Sequence, residues 1–177
     1  MKMKKIFLML ATLSIIVFSC EEALLGLAFD YEYTFETVVP GPSPANQLIE
    51  VESDPIANNL EKELAKRDLE ILDEAKVKAV ELTLLGQNDI DFSWFEYIRL
   101  YLVADGQEIL IASRDEIDPN ANSGVKEIDL ALAGELTDYQ DLLKFSELAV
   151  KVEYEVKDVI SEDFGVSIRL IAKILGK

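Results

Sequence analysis

Residues 28–39, AFDYEYTFETVV, place Phe29, Tyr31, Tyr33 and Phe35 at every second position, with Asp30, Glu32, Thr34 and Glu36 between them. In an extended chain successive side chains point to opposite faces, so a period of two yields one aromatic and one acidic face. A helix would scatter the same residues around its circumference. The segment therefore reads as a half-buried strand. Its four rings are either sheet core or a stacking platform for sugars.

The same period recurs along the chain. In AKVKAVELTLL, Val80, Leu82 and Leu84 point one way and Glu81 and Thr83 the other, within a β-leaning run over 69–85. IRLYLVA (98–104) and EILIAS (108–113) flank Asp105-Gly106, a preferred pair for a type I′ hairpin turn. VKEIDLAL (125–132), LAVKVEYEV (148–156) and GVSIRLIAKIL (165–175) add three more strands, and LIEVES (48–53) a short edge strand. The proline-rich VVPGPSPANQ breaks the first strand into a loop. Asp54-Pro55 has the form of a helix start, Asp as N-cap and Pro at the first helical position, with Ile56, Leu60 and Leu64 on one face. TDYQ (137–140) has capping-box spacing and opens a second short helix to about Phe145. FSWFEY reads as a helical corner, with Phe92, Trp94 and Phe95 closing one end of the core. No strand–helix–strand rhythm is present. The expected fold is mainly β: one antiparallel β-sandwich domain over 28–177, of the Ig-like or Greek-key type, with about seven or eight strands and two short helices.

Composition limits the chemistry. The chain has 177 residues, half of them hydrophobic, no histidine and a single cysteine. Without histidine there is no usual general base and no Ser-His-Asp or Cys-His arrangement. Seventeen cationic side chains face 34 acidic ones, a formal charge of −17. Such a field repels nucleic acid.

The first residues explain the cysteine. Lys2, Lys4 and Lys5 precede an uncharged apolar run over 6–19, too short for a permanent membrane span and right for a secretory signal. Val17-Phe18-Ser19-Cys20 resembles the lipobox of bacterial lipoproteins, with Phe18 bulkier than the usual small residue. The resemblance implies a signal peptide over 1–19, cleavage before Cys20, acylation (palmitate-type lipid) on Cys20 and a lipidated tether over 20–27. Several acyl chains on one residue hold a protein firmly to a bilayer. Glu21 and Glu22 resemble the surface-export signal of lipoproteins from the Bacteroidota. The implied location is the outer membrane, on its periplasmic face or at the cell surface. Loss of residues 1–19 removes three lysines and leaves a formal charge of −20.

Two loops carry candidate chemistry. In DPNANSG, Asp118, Asn120 and Asn122 occupy positions 1, 3 and 5 of an oxygen-rich loop, the alternation used by EF-hand calcium loops, and Asp115 offers a further oxygen. Gly124 stands one residue late, however, and position 12 is Asp129 inside an expected strand. The same residues also suit an ordinary surface turn. Calcium is the one cofactor the sequence suggests. In the second loop, Asn88-Asp89-Ile90-Asp91 lies beside Trp94, a carboxylate pair near an aromatic ring, as a glycosidase would need. The leading expectation is a non-catalytic cell-envelope lipoprotein, a binding or structural accessory with an unknown protein or glycan partner and no nucleic acid. A surface adhesin, pilus-like subunit or glycan-binding protein is the alternative, and a glycosidase a distant third.

Overall fold

The computed structural model describes residues 28–86, 89–133 and 139–176. The expected signal peptide, Cys20 with its tether, Asn88 and Thr137 of the capping box lie outside the described residues. Among the described residues ten strands form two antiparallel sheets. β1 (Ala28–Val39), β10 (Phe164–Gly176), β4 (Leu72–Leu85) and β7 (Glu127–Asp129) lie in that order in one. The other runs β2 (Ile49–Glu52), β9 (Glu147–Val156), β5 (Phe95–Ala104), β6 (Gln107–Arg114), β8 (Ala131–Leu132), and β3 (Ile56–Ala57) also pairs with β9. The chain is a mainly β sandwich, as its alternation requires.

The sheets are held by their inward residues. On β10, Phe164, Val166, Ile168, Leu170, Ala172 and Ile174 are all buried. From β9, Leu148, Val150, Val152, Tyr154 and Val156 join the same cluster, as do Ile98, Leu100 and Leu102 from β5. Each large aliphatic side chain so buried contributes about 1.5–3 kcal/mol relative to exposure. Tyr33 and Phe35 belong to this core, at 3% and 0% exposure, with Phe29 and Tyr31 packed against it. The aromatic face of β1 is therefore core rather than a sugar platform. In β4 the pairing slips between Val77 and Ala79, leaving Lys78 as the extra residue of a bulge. That slip lets Ala75 and Val77 on one side, and Val80, Leu82 and Leu84 on the other, all face inward.

Three expectations change. Asp54-Pro55 does not begin a helix: Ile56 pairs with Leu148 and Ala57 with Glu147 as β3, and the helix α1 is Leu60–Ala65. Ladder pairing with β9 outcompetes the local cap signal, although Leu60 and Leu64 are buried as the spacing indicates. The segment 125–132 is not one strand. β7 pairs with β4, β8 pairs with β6, and the chain crosses between sheets at buried Leu130, whose amide donates to the Val80 carbonyl at 2.9 Å. That split, with the addition of β3, brings the number of strands to ten. The second helix, α2, is Tyr139–Leu142 and stops short of Phe145. Phe92–Trp94 is a single 3₁₀ turn, with Phe92 and Phe95 buried and Trp94 packed against the core. The Asp105-Gly106 turn has positive φ at both residues, 48° and 73°, as type I′ demands.

The proline-rich loop is fastened to the connection between β9 and β10. Ser43 and Ile160 exchange backbone hydrogen bonds, and the Gly41 amide donates to Asp163 Oδ1 at 2.8 Å. A Cβ at Gly41 would lie 2.8 Å from both Glu162 C and Ser161 O. Gly41→Ala is therefore expected to cost about 2 kcal/mol by overpacking, read as a lower midpoint in denaturant titration.

Candidate functional site

The Asp115–Gly124 loop and the 3₁₀ turn are joined by Asp91, which is 9% exposed. Its Oδ1 accepts from the Ser93 amide at 2.9 Å and from the Ser93 hydroxyl, capping the turn. Its Oδ2 accepts from the Gly124 amide at 2.6 Å. Burial alone would raise the Asp91 pKa. The bonds from Ser93 and Gly124, with Lys126 nearby, hold it below the ordinary aspartate value.

Of the four candidate calcium ligands, Asp115, Asp118 and Asn122 have side-chain partners, while Asn120 takes part through its backbone amide. Asp118 Oδ1 accepts from the Asn120 amide at 2.9 Å, forming a local turn. The buried Asn122 side chain donates to the Asp118 carbonyl at 2.7 Å. Asp115 is drawn toward Arg99, at 3.5 Å. Asp118, Asn120 and Asn122 thus share one turn, while Asp115 faces the sheet. Among the described residues no group of three or more acidic side chains is placed to hold a metal ion. Calcium would have to compete with the Asn120 amide and with Arg99.

Asp89 and Asp91 do not form a matched pair. Asp89 is exposed beside half-buried Trp94 in a shallow cleft of about 200 Å³. An acid catalyst needs a raised pKa, and Asp91 is shifted the opposite way.

The outer face of the second sheet carries a cluster that the alternation implies but the sequence reading did not single out. Arg99 bridges Glu153 at 3.1 Å and Asp115, and its guanidinium lies 4.9 Å from the Tyr97 ring centre. Lys151 pairs with Glu50 at 3.5 Å and with Glu108, and stands 4.7 Å over the Tyr101 ring. The Tyr101 hydroxyl donates to Glu153 Oε2 at 3.3 Å. Burial, then the Glu153 charge, pushes its pKa up, so it remains protonated at neutral pH. Cations and acids satisfy one another here, and both rings already carry a cation.

A larger groove of about 780 Å³ opens between α1 and the start of β4, lined by Leu60, Leu64, Leu69, Ile71 and Leu143. Ile71 is 56% exposed. Nearby in the fold, the Tyr139 hydroxyl is buried without a hydrogen-bond partner among the described residues, and burial, then Glu74, raises its pKa. A protonated phenol there is not a base.

No known family matches the sequence, and no curated protein does. Solved structures give remote likenesses. The cyanophage Pam1 capsid is 12% identical over 82% of this chain and 85% of its own, with a TM-score of 0.41. A capsid protein of Helicobacter pylori bacteriophage KHP30 is 12% identical over 84% and 96%, at 0.37. N-glycanase F (PNGase F) is 14% identical over 82% of this chain and 42% of its own, at 0.38. At these identities and scores the likenesses carry no functional information.

Proposed function

We propose that this chain is a non-catalytic, lipid-anchored module of the bacterial cell envelope, whose sandwich presents a rigid surface to a protein or glycan partner. The observation that carries this reading is Val17-Phe18-Ser19-Cys20 standing eight residues before the first sandwich strand at Ala28. An anchor at Cys20 would hold the domain within about 30 Å of a bilayer, since eight extended residues reach no farther. Among the described residues no helix is long and apolar enough to cross a membrane. The outer membrane, on either face, is the proposed location.

Among the described residues, hydrogen bonds from Arg169 to Glu32, from Lys66 and Arg67 to Glu63, and, against burial, from Ser93 and Gly124 to Asp91 hold these three carboxyls below their ordinary values, whereas an acid catalyst needs a raised one. A glycan-binding adhesin shares the anchor and the platform, but sugar stacking on Tyr97 or Tyr101 would first have to displace Arg99 or Lys151. Cys20→Ala is expected to abolish palmitate labelling and move the protein from the detergent phase to the aqueous phase. A lipid label that survives the substitution sinks the anchor.

A further inference from the structure

The four-stranded sheet ends in a long open edge. β1 spans 12 residues and pairs with β10 from Ala28–Leu175 to Val39–Phe164 without a register shift. Among the described residues it has no ladder partner on its other side. The opposite edge of the same sheet, β7, has 3 residues, and the terminal strands β2 and β8 of the other sheet have 4 and 2. Edges are usually blunted by shortness, bulges, proline or lysine. Residues 28–39 contain no proline, no lysine and no bulge. Among the described residues the Thr37 hydroxyl donates to the Glu52 carbonyl at 3.3 Å near one end of this edge, and Asp30, Glu32 and Glu36 alternate along its outer face.

Near its end the strand also offers a docking relief. Val38, Gly165 and Leu85 lie in line across β1, β10 and β4. Val38 and Leu85 are exposed, at 61% and 36%, and Gly165 between them has no side chain. A cleft of about 360 Å³ wraps from this apolar strip over β1 to Glu36, Glu52 and Asp54 beside its open edge. Asp30 and Glu32 are already matched, to Lys78 at 2.5 Å and Arg169 at 2.8 Å. Among the described residues Glu36, Glu52 and Asp54 have no ion-pair partner.

The charges choose the occupant. In a two-fold pairing of β1 with a second copy, all but one of the registers that overlap the acids would set two of them opposite one another on the outer face, for example Asp30 against Glu36 or Glu36 against itself; the exception places Thr34 opposite Glu36. Like charges directly opposite are destabilising. A strand with Lys or Arg at alternate positions would instead place its cations beside Glu36, Glu52 and Asp54. We propose that the open edge of β1 takes up an extended, basic segment of a protein partner as an added strand, with an apolar residue seated on the Val38–Gly165–Leu85 strip. Backbone ladder bonds give such additions their affinity and alternate side chains their specificity. The inference rests on the binding-module reading above, and names its partner class.

The test uses the full chain in detergent micelles, where lipidation has no bearing on capture, so failure here leaves the Cys20 reading standing. The probe is a fluorescent ten-residue peptide alternating Lys and Val, followed by anisotropy. The expected result is saturable binding that slows hydrogen exchange of the amides of residues 28–39. N-methylation of alternate peptide residues should weaken it about tenfold or more, because it removes ladder donors without changing charge. Glu36→Lys should weaken it about threefold or more, and a Glu–Val peptide should not bind. Absence of binding by the Lys–Val peptide overturns the proposal. So does equal binding of the N-methylated peptide, which would leave charge alone, or protection of β1 by concentration-dependent dimerisation, which would make the partner a second copy.

Discussion

Replacing Asn58 by alanine is expected to lower stability by about 3–4 kcal/mol, a fall of roughly 10 °C in melting temperature for a domain of this size. Asn58 follows β3, and all of its side-chain hydrogen-bonding groups face protein. Its Nδ2 donates to the Leu143 carbonyl at 2.6 Å and the Phe145 carbonyl at 2.9 Å, the chain just beyond α2. Its Oδ1 accepts from the Leu60 amide at 3.1 Å, at the start of α1, and from the Tyr33 hydroxyl at 3.2 Å, on β1. One amide thus connects both helices and a core strand. Alanine leaves two carbonyls, an amide and a phenol to find water or go unpaired in a half-buried place, where each unmet group costs about 1–3 kcal/mol, offset in part by relaxation. Asn58→Asp tests the donors separately. It keeps acceptors for Leu60 and Tyr33 but turns a carboxylate oxygen toward two carbonyls, so at neutral pH it should be no milder than alanine. A loss below about 1 kcal/mol for Asn58→Ala, measured in denaturant, would mean that water replaces the network.

Asn58 also shows where sequence reading reaches its limit. The period of two located β1, β9, β10 and the β5–β6 hairpin closely, because alternation is a local consequence of burying one face. It also placed Val80, Leu82 and Leu84 together on the core side. What decided the region after Asp54 was not local. The Asp-Pro cap signal was sound in itself, but Ile56 meets Leu148 on a strand much later in the chain, and that pairing is invisible to a cap rule. Likewise, Ile128, Leu130 and Leu132 alternate as one strand would, yet alternation does not say which sheet a strand joins, and the chain changes sheets at Leu130. In the candidate site the ambiguity is chemical. Asp118, Asn120 and Asn122 have ligand spacing because turns and cation loops select the same oxygen-bearing residues. In the fold Asp118 caps its own turn and Asn122 closes it. The Arg99–Glu153–Lys151 cluster was present in the sequence only as the outward half of two strands, β5 and β9. Which outward residues meet depends on strand order.

The second large effect is expected at Asp91, where alanine should cost about 3 kcal/mol at neutral pH. Both carboxylate oxygens are used: Oδ1 caps the 3₁₀ turn through Ser93, and Oδ2 holds the Gly124 amide. Hydrogen bonds to a charged acceptor are stronger than neutral ones, and the cap alone is worth about 1 kcal/mol. Asparagine is not a conservative change here. It has one oxygen, so its NH₂ must oppose either the Ser93 or the Gly124 amide, and Asp91→Asn should recover little of the loss. The effect depends on pH with a definite sign. Folding lowers the Asp91 pKa, so its contribution is complete above the unfolded value of about 3.9 and disappears as pH falls through the lower folded value. The gap in melting temperature between wild type and Asp91→Asn should therefore hold steady from pH 7 to about 5 and narrow below about pH 4. A gap that stayed constant into acid would show that shape, and not charge, is what position 91 supplies. Hydrogen exchange adds the structural readout. Loss of the Oδ2 bond frees Gly124, so amides in the Asp118–Val125 segment should exchange faster in the variant while those of β9 and β10 keep their protection.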